Sequence, residues 1–414
     1  MTSTLVVLGA APAGTEQLRS IVWVLLAVTL GALLSRIHGR LVLPTVVVEI
    51  VLGMVIGPEV LDIATVNQFI VFLANSGLAM LFFFAGLEVV EKHVPPREVA
   101  RGSMGWGISL AIGLALGILL QGTGLDAEWW IVGVALATTA LGTLVPILSD
   151  AGLLPTPLGR AILGTGVAGE FWPIVFISVF LTSAYGARAE VVLLVVFGIV
   201  VALGAWLALR ARPPRLVRVL QETVRTTGQT AVRGSIFVLA LLVYIAVEAG
   251  FEFVLGAFAA GLVVGLLLDS PDGEIVRLRL EGIGFGLLIP FYFVYTGMTF
   301  DLDSLLTAEG LALAGLFLAL LLVTRGASAL LWSREFPRRE TLALALFGAT
   351  GLPLIVAIVD IGTDRGEVSD AVAASIIGAG MISVLVYPFI ATRLAAPFAG
   401  ERPEEPADRG DTEY

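Results

Sequence analysis

One ionisable residue, Glu170, lies near the middle of an otherwise apolar run from Ala161 to Ser183. At about 1.5 Å per helical residue, this run is long enough to cross a bilayer. A charged side chain at that depth costs about 3 kcal/mol or more, so it usually faces a cavity or a partner. Such a carboxyl group can carry a proton one way and a metal cation the other way. The alternative is a neutral glutamic acid that is hydrogen-bonded to a neighbouring helix.

The small residues around Glu170 predict an irregular and closely packed helix. Pro173 removes a backbone donor and favours a kink, while Gly164, Gly166 and Gly169 allow another element to approach the backbone. We therefore expect this helix to contact other helices at the depth of its carboxylate.

A second deep charge, Arg325, lies in the apolar segment LLLVTRGASALL. A lone arginine there needs a partner, and Glu170 is the natural candidate, directly or through water. Arg325 stays protonated, and its charge favours the ionised carboxylate while desolvation favours the neutral acid. These opposed effects would let Glu170 titrate and exchange one proton for one monovalent cation, electroneutrally. Alternatively, Arg325 snorkels to the interface and only anchors its helix.

The composition is that of an all-α polytopic membrane protein. Of the 414 residues, 57% are hydrophobic and 14% are charged, against about 25% charged in soluble domains. The mean hydropathy is +0.98. The chain has no cysteine, which excludes thiolate sites, and only two histidines, so a histidine-rich metal site is not expected. We expect no cofactor and no nucleic-acid partner, only transported ions and the lipid bilayer.

Apolar runs predict thirteen transmembrane helices. The spans are 20–36, 43–57, 67–88, 103–121, 128–149, 160–183, 190–209, 232–250, 253–268, 282–299, 307–332, 340–361 and 370–395. Residues 1–19 form an N-terminal extracytoplasmic segment, 20–395 the transmembrane domain, and 396–414 a disordered acidic cytoplasmic tail.

The distribution of basic residues supports this count. With the N-terminus outside and the C-terminus in the cytoplasm, 20 of the 24 basic residues fall in cytoplasmic segments. Only Arg19, Arg188 and Arg365 lie outside, and Arg325 lies within a span. This asymmetry predicts a multi-pass protein of the cell inner (plasma) membrane. The most basic loop, 210–233, either binds anionic lipid or only fixes the orientation.

The two halves of the chain repeat each other. EIVLGMVIG (49–57) resembles AFAAGLVVG (257–265), and ALATTALGTLVP (135–146) resembles LFGATGLPLIV (346–356), at an offset of about 211 residues. Seven spans separate equivalent elements, so the second six-helix copy would be inverted, as in secondary transporters.

The repeat singles out two helices that glycine and proline interrupt at matching places. Thr138 and Thr139 lie in the first interruption, and Thr350 lies in the second. Unwound backbone frees carbonyl oxygens, which together with these hydroxyls could bind a small cation. The alternative is that the small residues only permit tight packing. Glu49 and Glu88 are candidates for the pathway wall, with Glu88 placed at the headgroup level.

Five segments together carry a resemblance to a known family. PTVVVEIVLGMVIGPEVL, LAMLFFFAGLEV, ALATTALGTLVPILSDAGLLPTPLGRAIL, GAFAAGLVVG and IPFYFVYTGMTFDL resemble the monovalent cation:proton antiporter-2 family of the sodium/proton exchanger superfamily. The resemblance covers about residues 20–395. It implies the sodium/proton antiporter fold and a homodimer that works as an elevator. A core domain (101–185 and 306–395) would slide against a dimer domain (20–100 and 232–305), joined by a linker helix (190–209).

The resemblance also assigns residues. Family members carry either an acidic pair or an Asn-Asp or Gln-Asp dipeptide in the sixth helix, where this chain has Gly169-Glu170. The carboxylate is therefore kept but lengthened, and its polar neighbour is missing. Arg325 matches the family's basic residue in the eleventh helix and resembles the electroneutral members. The implied site comprises Glu170 as proton and cation carrier, Arg325 as charge partner, Thr139 as a further cation ligand, and Thr138, Gly169 and Thr350 around them.

Three function classes remain at this point. The first is an antiporter that exchanges Na⁺ or K⁺ for H⁺. The second is an organic-anion symporter on a similar scaffold, which would need a cluster of basic groups where only Arg325 is available. The third is a membrane sensor without transport, or an intramembrane enzyme. An enzyme is disfavoured because Asp150 and Asp360 are at span ends and no HExxH motif occurs.

Overall fold

The computed structural model describes residues 13–37, 44–91, 94–180, 229–268 and 271–395, and the regular structure in these ranges is helical. Its one β-feature there is an isolated bridge between Ala127 and Val368. The helices are α1 (Ala13–Ile37), α2 (Thr45–Ile56), α3 (Gln68–Glu91), α4 (Pro96–Gly122), α5 (Trp129–Leu136), α6 (Leu141–Asp150), α7 (Pro157–Phe180), α8 (Thr230–Glu248), α9 (Phe253–Leu267), α10 (Pro271–Ile283), α11 (Ile289–Met298), α12 (Leu302–Leu305), α13 (Ala308–Ala329), α14 (Arg338–Gly348), α15 (Pro353–Asp364) and α16 (Asp370–Ala395).

Nine stretches within the described ranges are helical, long and apolar enough to cross a bilayer. Shorter apolar helices, such as α2 and α9, add to them. The predicted class, an all-helical polytopic membrane protein, is confirmed. The count of thirteen stays a prediction, because the predicted span 190–209 lies outside the described residues, as does the tail 396–414.

Three predicted spans have different ends in the structure. Helix α1 begins at Ala13 rather than at residue 20, and α4 begins at Pro96 rather than at residue 103. The span predicted at 282–299 is part of a longer helical run, in which the π-helical turn Gly284–Leu288 joins α10 to α11. A search for apolar runs does not find the polar ends of these helices, where charged side chains form hydrogen bonds with one another. In α10, for example, Arg277 donates to Glu281 at 2.8 Å.

Helices α3 and α9 pack so closely that glycine is required on both. A Cβ atom on Gly86 would collide with the carbonyl oxygen of Phe258, and one on Gly261 would collide with the carbonyl oxygen of Phe83. Small residues at an interface let two helix backbones approach, which increases their van der Waals contact. The α3–α9 pair is therefore a closely packed unit.

Both predicted helix interruptions are confirmed, and the structure brings them together. The chain leaves helical geometry at residues 137–140, between α5 and α6, and at 349–352, between α14 and α15. Pro353 opens α15 at a position where its missing N–H costs nothing. The backbone N–H of Ala140 donates to the carbonyl oxygen of Thr350 at 2.8 Å, so the two breaks contact each other directly. The inversion of the two halves stays a prediction.

Candidate functional site

The Glu170 carboxylate lies at the start of the half-helix α6. Its Oε1 accepts hydrogen bonds from the backbone N–H groups of Leu141 at 2.8 Å and Gly142 at 3.4 Å. The first N–H groups of a helix have no acceptor within that helix, and they form the positive end of its dipole. A carboxylate is therefore favoured there. Glu170 is half-buried on α7, which continues as a helix through Pro173.

The Arg325 guanidinium binds the end of the other broken helix. Its Nε donates to the carbonyl oxygen of Gly348, the last residue of α14, at 3.2 Å. Its Nη1 donates to Ser109 Oγ and its Nη2 to the carbonyl oxygen of Thr165, each at 3.3 Å. A positive charge is favourable at the negative end of a helix.

These contacts correct two expectations for Arg325. Its side chain is fully buried, so the prediction that it snorkels to the interface is wrong. Its hydrogen bonds go to neutral acceptors, and no ion pair joins it to Glu170 among the described residues. The predicted direct pair is therefore wrong for this conformation, and a water-mediated pair stays a prediction. Instead, Glu170 binds the positive N-terminal end of α6, and Arg325 binds the negative C-terminal end of α14.

Thr139 ties the first interruption to both α7 and α14. Its backbone N–H donates to the carbonyl oxygen of Gly169 at 3.1 Å, and its Oγ1 donates to that of Gly348 at 2.6 Å. Because the hydroxyl proton is used in this bond, the lone pairs of Oγ1 remain available to a cation. Thr139 is buried, as expected for a residue of a central site.

Thr138 and Thr350 lie in the two breaks, and the hydroxyl of each donates to a backbone carbonyl three or four residues earlier in the chain. Thr138 Oγ1 donates to the carbonyl oxygen of Ala135 at 2.9 Å, and Thr350 Oγ1 donates to that of Leu346 at 3.0 Å. Both residues are fully buried. The structure thus brings all three threonines to the meeting point of the breaks, and their role as cation ligands stays a prediction.

Gly169 occupies a position with no room for a side chain. A Cβ atom there would lie 2.7 Å from both Cβ and Oγ1 of Thr139, and 2.9 Å from Nη2 of Arg325. The space beside Gly169 is thus filled by Thr139 and Arg325. This explains physically why glycine precedes Glu170.

Sequence reasoning missed the polar residues that surround Arg325. Ser109 and Thr165 bind the guanidinium, and the buried hydroxyls of Thr165 and Thr324 have no hydrogen-bond partner within the described ranges. The guanidinium binds the backbone carbonyl of Thr165, which any residue would offer, so the sequence carried no signal for this contact. Nothing in the sequence around Ser109 indicated that it binds Arg325, except that it is a polar residue in an apolar helix.

A second polar cavity lies away from Glu170, between α11 and α15. It has a volume of about 270 Å³, and Asp301, Asp364 and Asp370 are among its lining residues. Inside it, the hydroxyl of the buried Tyr292 donates to Asp360 Oδ2 at 2.8 Å. Asp360 lies at the end of a predicted span and stood out for no function, although Asp360 and Asp364 are four residues apart on one helical face.

Comparison with known proteins identifies the family. The family model described as "Sodium/hydrogen exchanger, transmembrane" matches residues 24–396. The Na⁺/H⁺ antiporter NhaS5 of Synechocystis sp. is 27% identical over 406 residues, covering 90% of this chain and 54% of the relative. Cation/H⁺ antiporter 18 of Arabidopsis thaliana is 25% identical over 381 residues, covering 85% of this chain and 46% of the relative. The chain thus spans about half the length of these curated relatives.

A solved structure agrees with the fold. The sodium proton antiporter MjNhaP1 from Methanocaldococcus jannaschii, determined at pH 8, superposes with a TM-score of 0.68. The match covers 93% of this chain and 98% of that one at 18% sequence identity, which supports the fold alone. Because the family model spans nearly the whole described region, the chain belongs to the sodium/hydrogen exchanger family of monovalent cation:proton antiporters.

Proposed function

We propose that this protein is a secondary antiporter that exchanges Na⁺ or K⁺ for H⁺, with Glu170 shared in turn by the proton and the cation. The observation that carries the proposal is the place of the Glu170 carboxylate, on the free N–H groups at the start of α6. There it can accept a proton or a cation next to unwound backbone. The names of the family relatives, which are cation/H⁺ antiporters, agree with this activity.

The ligands around Glu170 suit a monovalent cation. One carboxylate can combine with the Thr139 hydroxyl and with carbonyl oxygens of the broken helices, which are hard oxygen ligands. The described ranges contain no group of three or more His, Cys, Asp or Glu side chains that could hold a metal ion. A divalent ion would lack the negative charge that it needs here.

Exchange would follow from competition for one side chain. A proton arriving at Glu170 neutralises the carboxylate and releases the cation, and loss of the proton restores the site. Arg325 keeps its charge throughout, because a guanidinium does not lose its proton at physiological pH. Three hydrogen bonds hold it in place. One proton then replaces one monovalent cation, and the exchange is electroneutral. An organic-anion symporter is disfavoured because it would need a cluster of basic groups, and Arg325 is the one basic residue that the sequence places deep within a predicted span.

Access to the two membrane faces would alternate by an elevator movement within a homodimer. In this proposal the core domain (101–185 and 306–395) carries the two breaks and slides against the dimer domain (20–100 and 232–305). The N-terminus would lie outside, and the C-terminus would lie in the cytoplasm. The closely packed α3–α9 pair supports the assignment of a rigid dimer-domain surface.

The decisive experiment measures the cation-induced dissipation of a pH gradient in proteoliposomes. Glu170→Gln keeps the shape of the side chain but removes its charge and proton, so exchange should be abolished with Na⁺, K⁺ and Li⁺ alike. Glu309→Gln, at an exposed glutamate of α13, is the matched control and should exchange like the parent protein. Retained exchange in a folded Glu170→Gln protein would refute the site.

The coupling ratio is tested separately with an imposed membrane potential. Electroneutral exchange should proceed at the same rate with and without the potential, because no net charge crosses the membrane. A rate that depends on voltage would contradict the one-to-one ratio while leaving Glu170 as the carrier.

A further inference from the structure

Ser383, a fully buried residue of α16, binds the backbone of the break between α14 and α15. The backbone N–H of Gly351 donates to Ser383 Oγ at 3.2 Å. The same Oγ lies 3.1 Å from the carbonyl oxygen of Gly351 and 2.7 Å from that of Gly380, so its one proton can be donated to either oxygen. A Cβ atom on Gly380 would lie 3.0 Å from the Gly351 oxygen, so α16 and the break are in close contact.

The Ser383 hydroxyl replaces the acceptor that Gly351 would have in a continuous helix. If α14 continued, the N–H of Gly351 would donate to the carbonyl oxygen of Phe347, four residues earlier. That oxygen instead accepts from the N–H of Thr350 at 3.2 Å. Since a buried backbone N–H needs an acceptor, the oxygen on α16 favours the break over an extension of α14.

Two further hydrogen bonds connect this break to Glu170. The residue before Gly351 is Thr350, whose carbonyl oxygen accepts from the N–H of Ala140 at 2.8 Å. The next N–H, that of Leu141, donates to Glu170 Oε1 at 2.8 Å. A displacement of Gly351 would therefore move the backbone groups that hold the Glu170 carboxylate at the start of α6.

We propose that Ser383 is a positioning residue of the cation site, which holds the second break in the shape that orients the backbone around Glu170. This inference rests on the proposed function and adds to it a residue from the last helix of the described chain. Ser383 acts through Gly351 and does not bind the cation itself. Loss of its hydroxyl leaves a buried N–H without that acceptor, which disfavours the present geometry by about fivefold to a hundredfold.

The first test compares Ser383→Ala with Ser375→Ala in proteoliposomes. Ser375 lies about two turns earlier on α16, is also fully buried, and donates to the carbonyl oxygen of Ala371 at 2.9 Å, within its own helix. Both substitutions remove a buried hydroxyl, so both should lower Tm. Only Ser383→Ala should raise the apparent KM for the exchanged cation, by about fivefold or more, because fewer molecules have a competent site. Ser375→Ala should stay within about twofold of the parent KM.

Two more variants at the same position isolate the hydroxyl from the shape of the side chain. Ser383→Thr and Ser383→Val fill the same volume, and only threonine offers an oxygen to Gly351. KM should be lower in Ser383→Thr than in Ser383→Val, and equal values would overturn the proposal. Should Ser383→Ala fail to fold, Ser383→Cys takes its place. Its sulfur is a weak acceptor, so KM should rise by at least about twofold, and a parent KM would overturn the proposal.

Hydrogen–deuterium exchange gives a readout that a merely structural role would not move. Loss of the Ser383 hydroxyl should quicken exchange at the amide of Gly351 and, through Thr350, at the amide of Ala140. Ser375→Ala should leave both amides as protected as in the parent protein. Faster exchange at Gly351 with the parent rate at Ala140 would overturn the proposed connection between α16 and the first break.

The outcomes separate this inference from the proposed function. The parent KM in Ser383→Ala, together with an inactive Glu170→Gln, overturns the role of Ser383 and leaves the antiporter site intact. So does an equal rise of KM in Ser375→Ala and Ser383→Ala. An active Glu170→Gln overturns the antiporter site itself, whatever Ser383 does.

Discussion

Replacing Gly169 by alanine should both destabilise the protein and impair exchange. The added Cβ would lie 2.7 Å from Thr139 Cβ, closer than real Cβ contacts, which essentially never fall below 3.0 Å. Thr139 cannot turn away easily, because its backbone N–H binds Gly169 and its hydroxyl binds Gly348. The new methyl group would also lie 2.9 Å from Arg325 Nη2, which donates to Thr165. Thr139, Arg325 or the backbone of α7 must therefore shift to accommodate the methyl group.

The size of the effect follows from two opposed contributions. Overpacking of a well-packed interior costs about 1–3 kcal/mol. Against this, alanine in place of glycine within a helix gains up to about 1 kcal/mol through the unfolded state and helix propensity. We therefore expect Gly169→Ala to lower the free energy of unfolding by about 1–2 kcal/mol. At about 2.1 cal/mol/K of unfolding entropy per residue, that change corresponds to a drop in Tm of roughly 1–2 °C for a chain of this length.

Gly315→Ala on α13 is the matched control, because no atom lies within 4 Å of its added Cβ. It carries the same gain in helix propensity without the collision. The assay is thermal unfolding of the detergent-solubilised variants, followed by cation-induced exchange in proteoliposomes. The control should melt at or slightly above the parent Tm and exchange normally, while Gly169→Ala should melt lower and exchange more slowly.

We expect that a polar side chain cannot be introduced at position 169 by a single substitution. Gly169→Asn places a larger side chain in the occupied space, so it should be at least as damaging as Gly169→Ala. A Gly169→Ala protein with the Tm and exchange rate of Gly315→Ala would refute the packing argument. A Gly169→Asn protein with improved exchange would refute the claim that Thr139 and Arg325 fill this position.

Two further predictions concern contacts away from Glu170. Tyr292→Phe removes the hydroxyl that donates to Asp360, so it should lower the free energy of unfolding by about 1.5–3 kcal/mol. The control, Tyr244→Phe, changes an exposed tyrosine and should have the Tm of the parent protein. Equal Tm values for the two variants would contradict the hydrogen bond between Tyr292 and Asp360. Glu335, between α13 and α14, accepts a hydrogen bond from Arg101 at 2.6 Å, which holds the pKa of that carboxyl below its usual value of 4.5. Its contribution to stability is present above that value and is lost as the pH falls through the lowered pKa. Glu335→Gln should therefore lower Tm at pH 7, and the difference from the parent should vanish in acid; a difference independent of pH would contradict the assignment.

The sequence alone was sufficient for the features that have a local cause. Long apolar runs predicted the helices, and glycine and proline at matching places predicted the two interruptions, which the structure has at 137–140 and 349–352. Glu170 stood out because ionisable groups are costly at mid-membrane depth. The motif order was specific enough to indicate the family that the family model identifies.

What the sequence could not supply are contacts between residues that are far apart in the chain. Arg325 was expected to bind Glu170, because charge alone suggested that partner. The structure instead offers it the free carbonyl end of α14, and whether that end lies within reach depends on the packing of several helices. The bond between Tyr292 and Asp360 joins residues 68 positions apart, and no periodicity reports it. The reason for glycine at position 169 likewise appears only once Thr139 is placed beside it.

The bond between Glu170 and the amide of Leu141 fastens two helices with the same oxygen atom that would receive the cargo. In the proposed exchange, an ion or proton that binds this carboxyl group would weaken its bond to the amide, because it competes for the same negative charge. Binding at Glu170 would thereby change the strength of the hydrogen bond that holds the first turn of α6 to α7. Hydrogen–deuterium exchange of the Leu141 amide would therefore be expected to quicken when the proposed ion or proton binds Glu170, and its rate would report on the occupancy of the site.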